Sequence, residues 1–161
     1  MQKKRKTRNA SRDSGTAARV VDRDILPELL GYNVRRAQIA LWRDFVHTVA
    51  EGEIRPGMFS AIVLIRANPG ISQIELAKEL GIDKATMVGL TDRLEAAGWV
   101  VRTRSREDRR RYGLTLTAAG QKTYRELKRE MLAHERKFVA RYSAAERKQL
   151  IALLQRLYDV D

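Results

Sequence analysis

Between residues 25 and about 50, apolar side chains recur every three to four positions on two stripes. Leu30, Val34, Ala37, Leu41 and Phe45 form one; Ile39, Trp42, Val46 and Val49 form the other. That period is helical, and two apolar stripes on one rod require burial on two sides. One side can pack within its own chain while the other meets a second copy, so a homodimer is expected. Pro56 stands ready to open a second helix, about residues 58–67, with Phe59, Ile62, Val63 and Ile65 as core candidates. Asn68-Pro69-Gly70 ends it, and the capping-box sequence Ser72-Gln73-Ile74-Glu75 starts a short helix reaching about Leu80. Gly81-Ile82-Asp83 then supplies a permissive turn residue, an apolar plug and an N-cap for a helix over residues 84–97, closed by Gly98.

Within that helix Met87, Leu90, Leu94 and Ala97 should face inward, leaving Lys84, Ala85, Thr86, Val88, Gly89 and Arg93 on the outer faces. Residues 99–103 and 112–116 read as two strands joined into a hairpin by the arginine-rich loop 105–111. After Thr117 a long helix carries Tyr124, Leu127, Met131, Phe138 and Tyr142, with His134 or Glu135 in the intervening turn. A second capping box, Ser143 to Glu146, opens a terminal helix with Leu150, Leu153, Leu154 and Leu157. The expected fold is mainly α with a small β-hairpin wing. A winged helix-turn-helix lobe spans residues 56–117, and a helical dimerisation lobe is built from 24–55 and 118–161. Together they make one domain over residues 24–161, behind a basic flexible arm at residues 1–23.

Charge gives this pattern a partner. The net charge is +12, and residues 1–24 with residues 102–111 hold nine of those twelve. Such a balance favours a polyanion, nucleic acid before membrane. A major groove admits one helix and is read by side chains at its N-terminal end. Lys84 can reach a phosphate or a guanine edge, and Thr86 can hydrogen-bond either phosphate or base. Ala85, Val88 and Gly89 allow close approach, and Arg93 adds charge on the outer face. Ser72 and Gln73, opening the preceding helix, can present amides and side chains to phosphate. Six arginines within residues 102–111 repel one another unless anions are supplied, and phosphates are the obvious source. Asp108 can fix one arginine so that it points at DNA. Arg110 is the choice for minor-groove insertion, with Arg106, Arg109 and Arg111 on the backbone. A solvated basic face would show the same charges, and the arm is as compatible with a solubilising tail as with a DNA contact.

On the first helix Arg36 and Arg43 lie seven apart on one face, with Asn33 one turn earlier and Trp42, Phe45 and Phe59 as apolar neighbours. Such a set can seat an effector with an aromatic body and anionic groups. It equally fits solvated arginines beside core aromatics. Without cysteine there is no disulfide, zinc-thiolate or thiol redox chemistry. His47 and His134 lack metal-ligand spacing, and no phosphate-cradling loop or nucleophile motif occurs, so neither catalysis, metal nor cofactor is expected. No apolar run nears the roughly 20 residues of a membrane span, and the start lacks a secretory apolar region. A cytoplasmic, nucleoid-associated protein is expected. A ligand-independent architectural nucleic-acid-binding protein is the alternative, separated by its lack of base preference.

The residues resemble the MarR family of winged helix-turn-helix transcriptional regulators, from about Ile25 to the C-terminus and most closely over residues 71–120. The words that carry the resemblance are Ile74-Glu75-Leu76-Ala77, Asp92-Arg93-Leu94-Glu95 leading to Gly98, Asp108-Arg109-Arg110, and Leu116-Thr117-Ala118-Ala119-Gly120. It implies an obligate homodimer with interlocked first and last helices, two winged lobes on a palindromic operator, and repression relieved by a small aromatic or anionic molecule. Two departures stand out: Gly89 falls where the family often carries a polar or basic base-reader, and Asp83 where a serine is common. Residues 32–65, with Arg55-Pro56-Gly57-Met58-Phe59-Ser60, also resemble the branch that answers to hydroxycinnamoyl or other aromatic acyl-CoA thioesters.

Overall fold

The computed structural model describes residues 21–48, 56–104 and 112–158. The basic arm through residue 20 and Val49 lie outside them. A single 3-10 turn, Leu26–Glu28, is followed by α1 (Leu30–Thr48), α2 (Pro56–Ala67), α3 (Gln73–Leu80) and α4 (Lys84–Ala96). Then come β1 (Val100–Arg104), β2 (Tyr112–Leu116), α5 (Ala118–Val139) and α6 (Ala144–Gln155). The chain divides after Ala37 into two compact units.

In the first unit the helix expected from residue 25 begins instead at Leu30. Pro27 is tolerated in the first turn of Leu26–Glu28, where a missing N–H costs nothing, and the break lies two residues later at Leu29. The chain makes one tight turn, leaves it through an extended Leu29, and only then enters α1. Asn33 fastens this entrance, its side-chain amide donating to the carbonyls of Pro27 and Leu29, each at 2.8 Å. Val21, Ile25, Leu26, Leu29, Leu30 and Val34 are exposed.

The second unit is organised around α2, which packs against α3, α4, α5 and β2. Met58, Ala61, Ile62 and Ile65 form its buried stripe, while Phe59 and Val63 are half-buried against that core. Leu76, Met87, Leu94, Val100, Leu114 and Leu127 complete the interior. Pro56 occupies the first helical position of α2, two residues earlier than expected, where a missing N–H costs nothing. β1 and β2 pair antiparallel from Val100 opposite Leu116 to Arg104 opposite Tyr112, one residue later on β1 than the sequence pattern indicated. Ile71 adds a short bridge to Leu114 on the other edge of β2.

Caps set the element ends. Ser72 with Glu75 and Ser143 with Glu146 form complete capping boxes. Thr117 accepts from the Gly120 amide at 3.0 Å and donates to the Gly98 carbonyl at 2.6 Å, joining the start of α5 to the end of α4. Gly120 itself is a close-approach position. A Cβ there would lie 2.0 Å from the Trp99 carbonyl oxygen, which accounts for a glycine ending the Leu116-to-Gly120 word.

Two inward assignments change. Ala97 is exposed, and its place in the buried face of α4 is taken by Thr91, which has no exposed surface. Thr91 satisfies its hydroxyl by donating to the Met87 carbonyl four residues back, at 2.6 Å, so a polar residue sits in the core at no hydrogen-bond loss. Tyr142, placed on the long helix by its spacing, lies past the end of α5 and is exposed; a turn closes there and Ser143 caps the next helix. Leu150, Leu153 and Leu154 on α6 are exposed in the single chain, as is Leu157, which lies in the turn after α6 and not on the helix as its spacing indicated.

Candidate nucleic-acid interface

Gly81 turns the chain between α3 and α4. Its φ of 63° lies in the left-handed region, and Ile82 donates back to the Ala77 carbonyl at 3.1 Å. Two short helices thus join through a three-residue turn in which Ile82 is half-buried against the core and Asp83 caps α4. The side chain of Gln73 donates to Thr91 across the helix pair and so ties the first turn of α3 to the inner face of α4. Met87, Thr91 and Leu94 point inward, and the opposite side of α4 is left to solvent: Lys84, Ala85, Thr86, Val88, Gly89 and Arg93 are all exposed. Gly89 has open space around it, with nothing within 4 Å of the position a Cβ would take.

The polar groups at this end are partly committed. Ser72 shares the Glu75 carboxylate at 2.7 Å, and Gln73 is held by Thr91. Thr86 donates its hydroxyl proton to Asp83 at 2.5 Å and its amide at 2.9 Å. Those two bonds, the side-chain one first, hold the Asp83 carboxyl below the ordinary aspartate range. Within the free protein Thr86 therefore has lone pairs to offer, and it must release Asp83 before it can donate to a phosphate.

Of the six clustered arginines, Arg102 finds its anions inside the protein. Its guanidinium meets Asp92 at 2.7 Å and Glu95 at 3.2 Å, so β1 is clamped to α4 through the acidic residues of the Asp92-Arg93-Leu94-Glu95 word. Phosphate is thus unnecessary for that arginine. Sequence spacing missed this because the partners lie on another element. Arg106, Asp108, Arg109, Arg110 and Arg111 lie outside the described residues.

The second candidate cluster separates into parts. In the first unit Asn33 is engaged with two backbone carbonyls and Arg36 is exposed. In the second unit Arg43 is exposed, Trp42 is 44% exposed, and Phe45 is buried at 3%. Trp42 stacks on Phe45 at 6.0 Å between centroids, and Phe45 meets His134 edge-on at 5.9 Å. His134 in turn lies 5.1 Å from Phe138. Phe59 is half-buried against the core. The structure adds His134 and Phe138 to this aromatic set; their spacing of four on α5 was the available signal. Among the described residues no cluster of three or more His, Asp or Glu is placed to hold a metal.

Three helices, a hairpin and a fourth helix in this order, with the second and third helices joined by a glycine turn, define a winged helix-turn-helix protein. The MarR family model matches residues 54–112. A candidate transcriptional regulatory protein for the hcr operon of Thauera aromatica is 39% identical over 133 residues, 82% of this chain and 80% of that protein. The chain therefore belongs to the MarR family: it is a MarR-type transcriptional regulator and not an enzyme. Among solved structures, the repressor CouR bound to a 23-mer DNA duplex superposes with a TM-score of 0.80 at 37% identity, covering 86% of this chain and 99% of CouR. CouR bound to p-coumaroyl-CoA gives 0.79 at 34% identity, covering 88% and 100%.

Proposed function

We propose that the chain is a homodimeric repressor that holds a palindromic duplex operator and leaves it when an aromatic, anionic small molecule of the aromatic acyl-CoA class binds. The observation that carries this reading is the solvent-facing side of α4 from Lys84 to Arg93, made of one lysine, one arginine and small residues around an open Gly89. Side chains at that end of a helix reach base edges in a major groove. The likeness to CouR in its DNA-bound form supports the same use. Gln73 would add a phosphate contact through its backbone amide at the start of α3, because its side chain is already engaged, whereas Ser72, whose amide and hydroxyl both donate to Glu75, would contact phosphate only by opening the capping box. Arg106, Arg109, Arg110 and Arg111, with Asp108 as organiser, are assigned to the adjoining groove and backbone on the strength of the sequence.

The exposed apolar positions of α6 support a second copy as their cover, with residues 24–55 and 118–161 as the dimerisation lobe. For the effector, Asn33, Arg36, Trp42, Arg43, Phe45 and Phe59 are the assigned residues, and the likeness to CouR bound to p-coumaroyl-CoA supports the ligand class. The test is fluorescence anisotropy on duplexes tiled across the DNA upstream of the gene, with and without p-coumaroyl-CoA or p-coumarate. A palindromic duplex should bind about a thousandfold more tightly than its scrambled version, and the thioester should release it. Equal binding to both duplexes would make the protein an architectural one. Indifference of a specific complex to both ligands would remove the proposed effector class.

A further inference from the structure

Where α2 ends beside α5, Arg66 sets its guanidinium 4.4 Å from the centroid of the Tyr124 ring, and the Lys128 ammonium lies 5.8 Å from the same centroid. Tyr124 is buried, so its ring is a fixed anchor that draws cations from two helices together. Arg125, Arg129 and Arg136 continue along α5 at intervals of four and seven residues, on one side of the helix. These five cations border an open groove of about 460 Å³, with Leu132 as an apolar patch within it. That volume is in the range of small-molecule sites.

α5 also carries Glu126, Glu130 and Glu135, yet among the described residues none comes within the 4.0 Å of an ion pair with a groove cation. The contrast with Arg102, clamped between two carboxylates, is informative: this chain neutralises an arginine where the charge only holds elements together. In the groove, positive charges stand together with no counter-ion among the described residues, and each raises the energy of the others until an anion arrives. One carboxylate would answer a single cation. Several phosphate oxygens on one small molecule answer the set, and the planar arginine fork matches phosphate geometry.

We propose that the α2–α5 groove is a binding site for a small molecule carrying two or more phosphate groups, such as the phosphorylated nucleotide end of coenzyme A. By helical spacing the groove lies away from the side of α5 on which His134 is buried, so it is a separate site from the aromatic cluster. The inference requires neither the operator nor the aromatic effector.

The experiment is isothermal titration calorimetry of the full chain in about 0.15 M salt, with coenzyme A, 3′-phosphoadenosine 5′-diphosphate, inorganic pyrophosphate and AMP as titrants. The variant Arg125→Gln/Lys128→Gln/Arg129→Gln is compared with Arg35→Gln/Arg141→Gln/Lys148→Gln, which removes the same charge elsewhere on the surface. Arg129→Gln alone provides a milder variant should the triple one unfold. Wild type and the control should bind the polyphosphates alike and AMP more weakly, and the groove variant should lose at least tenfold. Pyrophosphate matching coenzyme A would place recognition in the phosphates themselves; preference for the nucleotides would bring in the nucleoside as well. Either result supports the site. Equal binding by the groove variant, an equal loss in the control, or no binding to wild type would overturn it. So would a groove variant that loses affinity for random duplex DNA as steeply as for the nucleotides, which would make the groove a DNA surface.

Discussion

Gly89 shows what a single residue reveals about this surface. A glycine inside a helix costs about 0.5–1 kcal/mol relative to alanine, and here no neighbour requires it, since a Cβ would meet open space. Packing does not explain it, and the proposed approach of DNA to this face would. Gly89→Ala should therefore raise stability by about 0.5–1 kcal/mol in urea melts while weakening operator binding. A stabilised variant with unchanged affinity would mean that DNA does not come close to this position. Asp83 is the second case. Its folded pKa is depressed by Thr86, so its contribution is fully present above the unfolded carboxylate value and is lost as pH falls through that value and below. Asp83→Asn keeps a capping side chain but removes the charge. It should match wild type in stability at neutral pH and lose less of it between about pH 5 and 3. The same change removes a negative charge beside the proposed phosphate path, so duplex affinity should rise, most at low salt.

Between elements, a few contacts set how the helix-turn-helix and its wing are held. Gln73 and Thr91 link α3 to α4, and Thr91 passes the bond on to the Met87 carbonyl. Thr91→Val keeps the shape but leaves Gln73 without its acceptor, for an expected loss of about 1–3 kcal/mol. Duplex affinity should fall with it, and Thr91→Ser should restore both. A valine variant as stable as wild type would show that the bond carries no weight. Gly120→Ala tests the junction of hairpin and α5. The added methyl would sit 2.0 Å from the Trp99 carbonyl, so the backbone must move, at a cost of about 1–3 kcal/mol and a lower midpoint in thermal melts. An unchanged midpoint would mean that the junction is loose. Neither the pairing of Gln73 with Thr91 nor that of Gly120 with Trp99 was legible from spacing, because each joins residues on separate elements whose meeting depends on how the elements cross. Thr91 was half-legible: it stands at core spacing between Met87 and Leu94, and only its polarity argued against burial.

For the whole molecule, many large apolar side chains of the described residues lie exposed. Leu150, Leu153 and Leu154 on α6 and Leu157 in the turn after it are 38–49% exposed. Such a patch is what the proposed dimer would cover. Leu153→Glu should convert a dimer to a monomer in sedimentation equilibrium at micromolar concentration and abolish tight operator binding with it. A dimeric mass for that variant would move the interface away from α6. The net charge of +12 belongs to this scale too. It draws polyanions from a distance, and where they settle depends on which cations stay unpaired: among the described residues Arg102 is paired with Asp92 and Glu95, while the cations of the α2–α5 groove have no carboxylate in ion-pair range.

The division between chain and fold follows the range of the forces involved. Caps, turns and helical stripes are closed by residues three or four apart, so Ser72 with Glu75, Asp83 with Thr86, and Ser143 with Glu146 could be read directly and stand where they were expected. The winged helix-turn-helix order and the outward side of α4 followed from those local rules. The late start of α1, set by an extended Leu29, was not legible, because the apolar stripe runs through that position unchanged. What the fold alone decided was which charges and rings meet: Arg102 with Asp92 and Glu95, Arg66 with Tyr124, and Phe45 with His134. Side chains from separate elements are brought together by the packing of the core, and that packing is a property of all the helices at once.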